Sequence, residues 1–195
     1  MLRESLVLKD ISLHVQNGKV VCILGRNGVG KSTLIQAIMG VLKAQNGQIL
    51  YRESNITRAA PFARARKGIG YVPQGREIFS NLTVYENLIL GFESKRDRKT
   101  EILKQIYTYF PVLQEMKHRK GGDLSDGQQE QLAIGRALIA EPSLLLLDEP
   151  AKGIQPNIVK DIQDVILNIK ETTNTSMILV EQSMSFAKKQ LIIFT

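Results

Sequence analysis

Val20 to Ile38 reads VVCILGRNGVGKSTLIQAI, and few folds can house such a stretch. Val20 to Leu24 is a short apolar run of the kind that forms a strand buried on both faces. Gly25-Arg26-Asn27-Gly28-Val29-Gly30-Lys31-Ser32 then satisfies G-x-x-x-x-G-K-[ST] without a mismatch. Leu34, Ile35 and Ile38 continue at helical spacing. Strand, glycine loop and helix follow in the order that phosphate binding needs. The glycines let several N–H groups turn inward on a phosphate chain, and the helix N-terminus adds its positive end. In such a loop Lys31 reaches the β- and γ-phosphates and Ser32 ligates Mg²⁺.

The chain of 195 residues is long enough for one large domain or two small lobes with a real core. No apolar run approaches the ~18 residues of a membrane span, so no direct span is expected. MLRESLVLKD at the start has too short an apolar run for a signal peptide. The one cysteine, Cys22, falls inside the first buried strand, which excludes an internal disulfide and fits a reducing cytosol. Net charge is +7, with basic clusters at residues 64–67, 95–99 and 117–120. These clusters lack interleaved aromatics and match no nucleic-acid module, so nucleic acid is not an expected partner. Solvated surface is the first reading and proximity to an anionic membrane the second.

Strands and helices alternate along the rest of the chain. Ile11-Ser12-Leu13-His14-Val15 alternates apolar and polar as a half-buried strand, with His14 on its polar face, and Asn17-Gly18 is a hairpin-turn signal. Ile49-Leu50-Tyr51 and Ile69-Gly70-Tyr71-Val72 read as strands, the second broken by Pro73. Gln74 follows at a strand end, as a ligand contact or simply a polar loop residue. Residues from about 82 to 140 are mainly helical, with Pro111 closing one helix and Ser125 or Asp126 capping another. Ser143 to Pro150 is a buried strand ending in two carboxylates. Beside a phosphate loop, Asp148 can hold the Mg²⁺ shell and Glu149 can polarise a water in line with the γ-phosphate. Pro156 opens an amphipathic helix, and Met177 to Glu181 is a last strand, followed by Gln182. The alternation implies an α/β fold with a mainly parallel sheet into which the helical stretch is inserted as a subdomain, and the fold is expected to carry an antiparallel β portion near the N-terminus.

Taken together, GRNGVGKS, VPQ, LSDGQQ, LLLLDEP and a strand ending in VEQ resemble the ATP-binding cassette (ABC) ATPases over essentially the whole chain. VPQGREIFSNLTVYENL, GIQP and LVEQ are similar to the branch serving branched-chain amino-acid and urea uptake, with GIQP leaning toward urea. The resemblance implies a single P-loop NTPase domain over 1–195, its RecA-like core at about 1–80 and 141–195 and its helical subdomain at about 81–140. It implies ATP and Mg²⁺ as cofactors, Gly25, Arg26, Asn27, Gly28, Val29, Gly30, Lys31, Ser32 and Thr33 as nucleotide-binding residues, and Ser32, Gln74 and Asp148 as metal-holding ones. Lys31, Glu149 and Gln182 would be catalytic. Ser125, Gly127 and Gln128 belong to a signature motif that, in a head-to-tail dimer, covers the γ-phosphate held by a second ATPase subunit. Transmembrane permease subunits would be the other partners, keeping the chain at the cytoplasmic face of the plasma membrane.

The pattern has departures. Asp126 stands where the signature's first glycine usually is, and its carboxylate is expected to repel phosphate oxygens. Gln155 replaces the usual D-loop aspartate and Gln182 the usual switch histidine. Both ends look short beside the family, and no aromatic residue precedes Tyr51 to stack on adenine. The expected function is therefore the ATPase subunit of an importer. The alternatives are a shortened cassette that binds without efficient turnover and a soluble cassette working outside transport.

Overall fold

Two adjacent strands set the architecture. Leu144–Asp148 (β5) and Ser176–Glu181 (β6) are buried along their whole length, because helices cover both faces of the sheet they belong to. Their register is parallel, Leu144 opposite Ser176 through Asp148 opposite Val180. Leu144, Leu146, Ile178 and Val180 point into one core and Leu145, Leu147, Met177 and Leu179 into another, as period-two alternation requires. The computed structural model describes residues 8–92, 98–182 and 186 together with the backbone of 192–194.

Within those residues the elements run Val20–Leu24 (β1), Lys31–Met39 (α1), Leu50–Tyr51 (β2), Ser54–Asn55 (β3), Pro61–Arg66 (α2) and Ile69–Val72 (β4). Four helices follow, Val84–Ile89 (α3), Lys99–Tyr109 (α4), Pro111–Glu115 (α5) and Asp126–Ile139 (α6). Then come β5, Pro156–Thr172 (α7), β6 and Ile192–Phe194 (β7). The main sheet has the order β4-β5-β6-β1-β7 with every pairing parallel, and β2 and β3 form a small antiparallel pair. Helix α1 packs on β5 and β6 over one face. Helix α7 and the helical stretch bury the other, with Ile162, Ile166 and Ile169 of α7 and Leu132 and Ile139 of α6 in one continuous cluster.

The α/β class, the parallel sheet and the small antiparallel portion are as the sequence implied. One strand is not. Residues 11–15 carry no strand, because among the described residues no neighbouring ladder pairs with them. Their alternation still sorts the faces, since Leu13 and Val15 pack on the α1-side core while His14 is exposed. Asn17-Gly18 is a turn rather than a hairpin, with Lys19 N–H donating to Gln16 C=O at 3.1 Å. Cys22 is fully buried, and burial, with a contribution from Glu181, pushes its thiol up to about 12. The expectations for residues 1–7, for 95–97 of one basic cluster and for the chain end after Phe194 lie outside the described residues.

One buried cation anchors the helix that begins at the glycine loop. Arg64 of α2 is only 2% exposed, and its guanidinium donates to the carbonyls of Ala37, Ile38, Thr57 and Ala59 at 2.7–2.9 Å. Two of those carbonyls are at the C-terminal end of α1, where helix carbonyls lack intrahelical partners and positive charge is favoured. Arg64→Met keeps the apolar stem and strands those acceptors. We expect a loss of about 3 kcal/mol, which in a chain of this size lowers the melting temperature by roughly 6–12 °C. Calorimetry measures it, and a shift below about 2 °C would show that the carbonyls find other partners.

Candidate functional site

Because β4, β5, β6 and β1 are parallel, the loops after them emerge at one edge of the sheet, the usual place for a ligand in an open α/β fold. That edge gathers the glycine loop after β1, Gln74 after β4, Asp148 and Glu149 at the end of β5, and Gln182 after β6.

The glycine loop is shaped by two positive φ angles, +80° at Gly28 and +95° at Gly30, which side chains rarely tolerate. Arg26, Asn27, Gly28 and Val29 form its exposed rim, and Gly25 N–H ties its start to Glu181 C=O. Lys31, Ser32 and Thr33 make the first turn of α1. The Lys31 ammonium is buried inside the loop and donates to Gly25 and Arg26 C=O, both at 2.9 Å. Ser32 Oγ donates to Asp148 Oδ1 at 2.9 Å, joining residues 116 apart in sequence. Burial, and then the neighbouring Glu149 charge, raise Asp148 above its ordinary value, against the hydrogen bond from Ser32.

Glu149 is the hub. Its backbone sits at φ +53°, a conformation that costs a non-glycine residue roughly 1–3 kcal/mol and must be held by its surroundings. Its carboxylate accepts from Gln182 Nε2 at 2.9 Å and from Gln74 Nε2 at 3.3 Å. Lys152 Nζ lies 2.9 Å away and Lys31 Nζ 3.6 Å. Burial alone would raise its pKa. The hydrogen bonds from Gln182 and Lys152 and the charges of Lys152 and Lys31 outweigh it and hold the carboxyl below its ordinary range. Beneath it, Glu181 accepts from the N–H groups of Ala151 and Gln182, and burial pushes this second carboxyl up to about 7.

Ser125, Gly127 and Gln128 are elsewhere. Ser125 caps α6 in a reciprocal box with Gln128, and no hydrogen bond or ion pair among the described residues joins them to the Glu149 cluster. Gly127 has a packing role of its own, since a Cβ there would stand 2.8 Å from Ile158 of α7. Asp126 is not a free carboxylate. Arg76 Nη1 meets its Oδ1 at 2.7 Å, while Arg76 Nε reaches Glu130 Oε2 at 3.3 Å. The carboxylate that was expected to stand bare toward phosphate is thus paired within the chain. Gln155, at the N-cap of α7, makes no side-chain capping bond.

Residues 8–152 match the ABC transporter family. The chain belongs to that family. Among its relatives, the high-affinity branched-chain amino acid transport ATP-binding protein BraG of Pseudomonas aeruginosa is 40% identical over 93% of this chain and 78% of its own. The lipopolysaccharide export system ATP-binding protein LptB of Escherichia coli is 35% identical over 85% of this chain and 70% of its own. A solved nucleotide-free ATP-binding cassette from an ABC transporter superposes with a TM-score of 0.82 at 30% identity, covering 95% of this chain and 79% of that one. The protein is an ABC transporter ATP-binding subunit, and as a member of that family an ATP hydrolase.

The structure also brings to this region residues that the sequence did not point to. Lys152 follows Glu149 at turn spacing, three residues on, which was a readable signal. Arg76 and Glu130 had none, because their meeting depends on how the loop after β4 lies against α6. Arg136 of α6 donates to the carbonyls of Arg76 and Glu77 and stacks its guanidinium 5.3 Å from the Phe79 ring centre.

Glu130 carries a pH prediction. Burial pushes it up to about 7 against the pull of Arg76, with Glu181 adding to the rise. The folded value exceeds the unfolded one, so the native state holds an extra proton between about pH 4.5 and 7, and stability falls as pH rises through that window. Glu130→Gln should therefore raise the melting temperature relative to the parent at pH 8 and give less gain at pH 5. An equal difference at both values would place Glu130 outside this linkage.

Proposed function

We propose that this cassette is the ATP-hydrolysing subunit of an importer for branched-chain amino acids. The observation that carries the reading is the 40% identity to BraG over nearly the whole chain, supported by the meeting of Lys31, Ser32, Asp148, Glu149 and Gln182 at one sheet edge. A protein of Archaeoglobus fulgidus described as a "probable branched-chain amino acid transport ATP-binding protein", 33% identical over 95% of this chain and 79% of its own, supports the same cargo class. The urea alternative rests on Gly153-Ile154-Gln155-Pro156 alone.

Ser32 and Asp148 present hard oxygen donors side by side, which suits Mg²⁺, an ion that keeps several waters and takes few protein ligands beside phosphate oxygens. Ser32 and Asp148 would hold it, with the Gln74 amide nearby. Bound there, Mg²⁺ would neutralise charge on the β- and γ-phosphates. Glu149 takes the proton of a water as its oxygen bonds to the γ-phosphorus. The bond to the β-bridging oxygen breaks, and ADP leaves with its new charge balanced by Lys31. Gln182 donates to a γ-phosphate oxygen but carries no proton in this role. ATP thus competes with Glu149 for Lys31 and Gln182. Their release toward phosphate frees the carboxylate to act as a base.

Ser125, Gly127 and Gln128 at the end of α6 are available for the nucleotide of a second subunit in a head-to-tail dimer. The permease partner has a surface to meet. A groove of about 560 Å³ runs between β4, α1 and the helical stretch, lined by Met39, Phe79, Leu90 and Ala137, with Phe79 and Leu90 half exposed. An apolar helix of a membrane subunit is the proposed occupant. Among the described residues no helix of the cassette itself is long and apolar enough to cross a membrane.

The test is uptake. Vesicles carrying the cassette with its permeases and binding protein should accumulate labelled leucine when ATP is supplied. Glu149→Gln should bind ATP and lose uptake and hydrolysis by ~10²–10⁴-fold. Labelled urea accumulating in place of leucine would move the cargo to the alternative. Undiminished turnover in Glu149→Gln would remove the base assignment.

A further inference from the structure

We propose that Arg76 is a positioning residue of the ATPase, cancelling the charge of Asp126 so that the signature helix can be presented to a neighbour's nucleotide. The inference rests on the head-to-tail dimer proposed above.

Three observations support it. Asp126 is the first residue of α6, flanked by Ser125 and Gly127, and its side chain is 67% exposed. A bare carboxylate there would face any polyanion that Ser125 and Gly127 approach, and like charges within ~4–6 Å disfavour one another. Arg76 answers that charge at 2.7 Å with a side chain that is itself only 16% exposed, while its Nε is held by the buried Glu130. The guanidinium is thus fixed from below and offered to Asp126 from the protein side. Finally, the loop bends to deliver it. Arg76 and Glu77 lie at φ +70° and +45°, both in the left-handed region, and Arg136 clamps the two carbonyls. Strain at consecutive non-glycine residues persists only where the surroundings impose it.

The bridge joins two kinds of site. Arg76 is two residues from Gln74, which hydrogen-bonds Glu149 of the chain's own nucleotide edge. Asp126 sits in the motif offered to the partner's edge. Arg76 therefore sets the position of the signature helix relative to the loop that touches the local base.

A double-mutant cycle on the purified full chain tests this, reading kcat, KM for ATP and melting temperature. Arg76→Gln should raise KM about tenfold, within the range of coupling found between groups of one ion-pair network. In an Asp126→Asn background the same change should raise KM less than about twofold. Glu130→Gln combined with Arg76→Gln controls for the buried carboxylate, recovering melting temperature while KM stays high. Equal effects of Arg76→Gln in both Asp126 backgrounds would overturn the proposal. So would recovery of KM through Glu130→Gln instead of Asp126→Asn, since that pattern describes a purely structural arginine. A parent chain that neither turns over ATP nor pairs in its presence would overturn the dimer reading and this proposal together. An active, pairing parent with additive variants overturns this proposal alone.

Discussion

A single buried anion organises the nucleotide edge. Glu149 sits in a strained backbone conformation with two amides and two ammonium groups converging on its carboxylate, from the loops after β4, β5 and β6 and from the first turn of α1. The four donors, Lys31, Gln74, Lys152 and Gln182, lie far from one another in sequence. A carboxylate in a water-poor site attracts donors strongly, and the donors lose that partner only when a better anion arrives. A triphosphate is such an anion. On the proposed function, the groups that would bind phosphate are the ones that hold the Glu149 carboxylate ionised and in place.

The sheet makes that convergence possible. Parallel strands place their following loops at one edge, and the β1–β6 and β5–β6 registers bring Leu24 beside Glu181 and Asp148 beside Val180. Small hydrogen bonds then lock the edge together, Gly25 N–H to Glu181 C=O and Glu149 N–H to Val180 C=O. Arg64 fixes the far end of α1, so the helix that begins in the glycine loop is anchored at both ends. The signature segment is built on different terms. Its helix is capped by its own residues, its glycine makes room for Ile158, and its one unusual charge is answered by Arg76.

Much of this was legible in the sequence, because the signals were local. The glycine loop, the apolar strand running into Asp148 and Glu149, the proline-broken strand before Gln74 and the amphipathic α7 each announce themselves within about twenty residues. What the sequence hid depends on long-range geometry. Residues 11–15 alternate correctly yet pair with no ladder among the described residues, since alternation encodes two faces and not a neighbour. Asp126 read as a free charge because its partner lies 50 residues away on a loop whose direction only the fold defines. Arg64 read as one member of a basic surface cluster, whereas its guanidinium is consumed by four backbone carbonyls.

The competition for Lys31 and Gln182 is the claim on which the rest turns, and the ionisation of Glu149 reports it directly. A carboxyl-carbon NMR titration should find Glu149 below the ordinary glutamate range in the nucleotide-free cassette. With a non-hydrolysable ATP analogue and Mg²⁺ bound, two of its donors turn to phosphate and a net anion stands opposite, so its pKa should rise. An unchanged or lower value in the complex would contradict the competition and leave Glu149 without the base role argued for it.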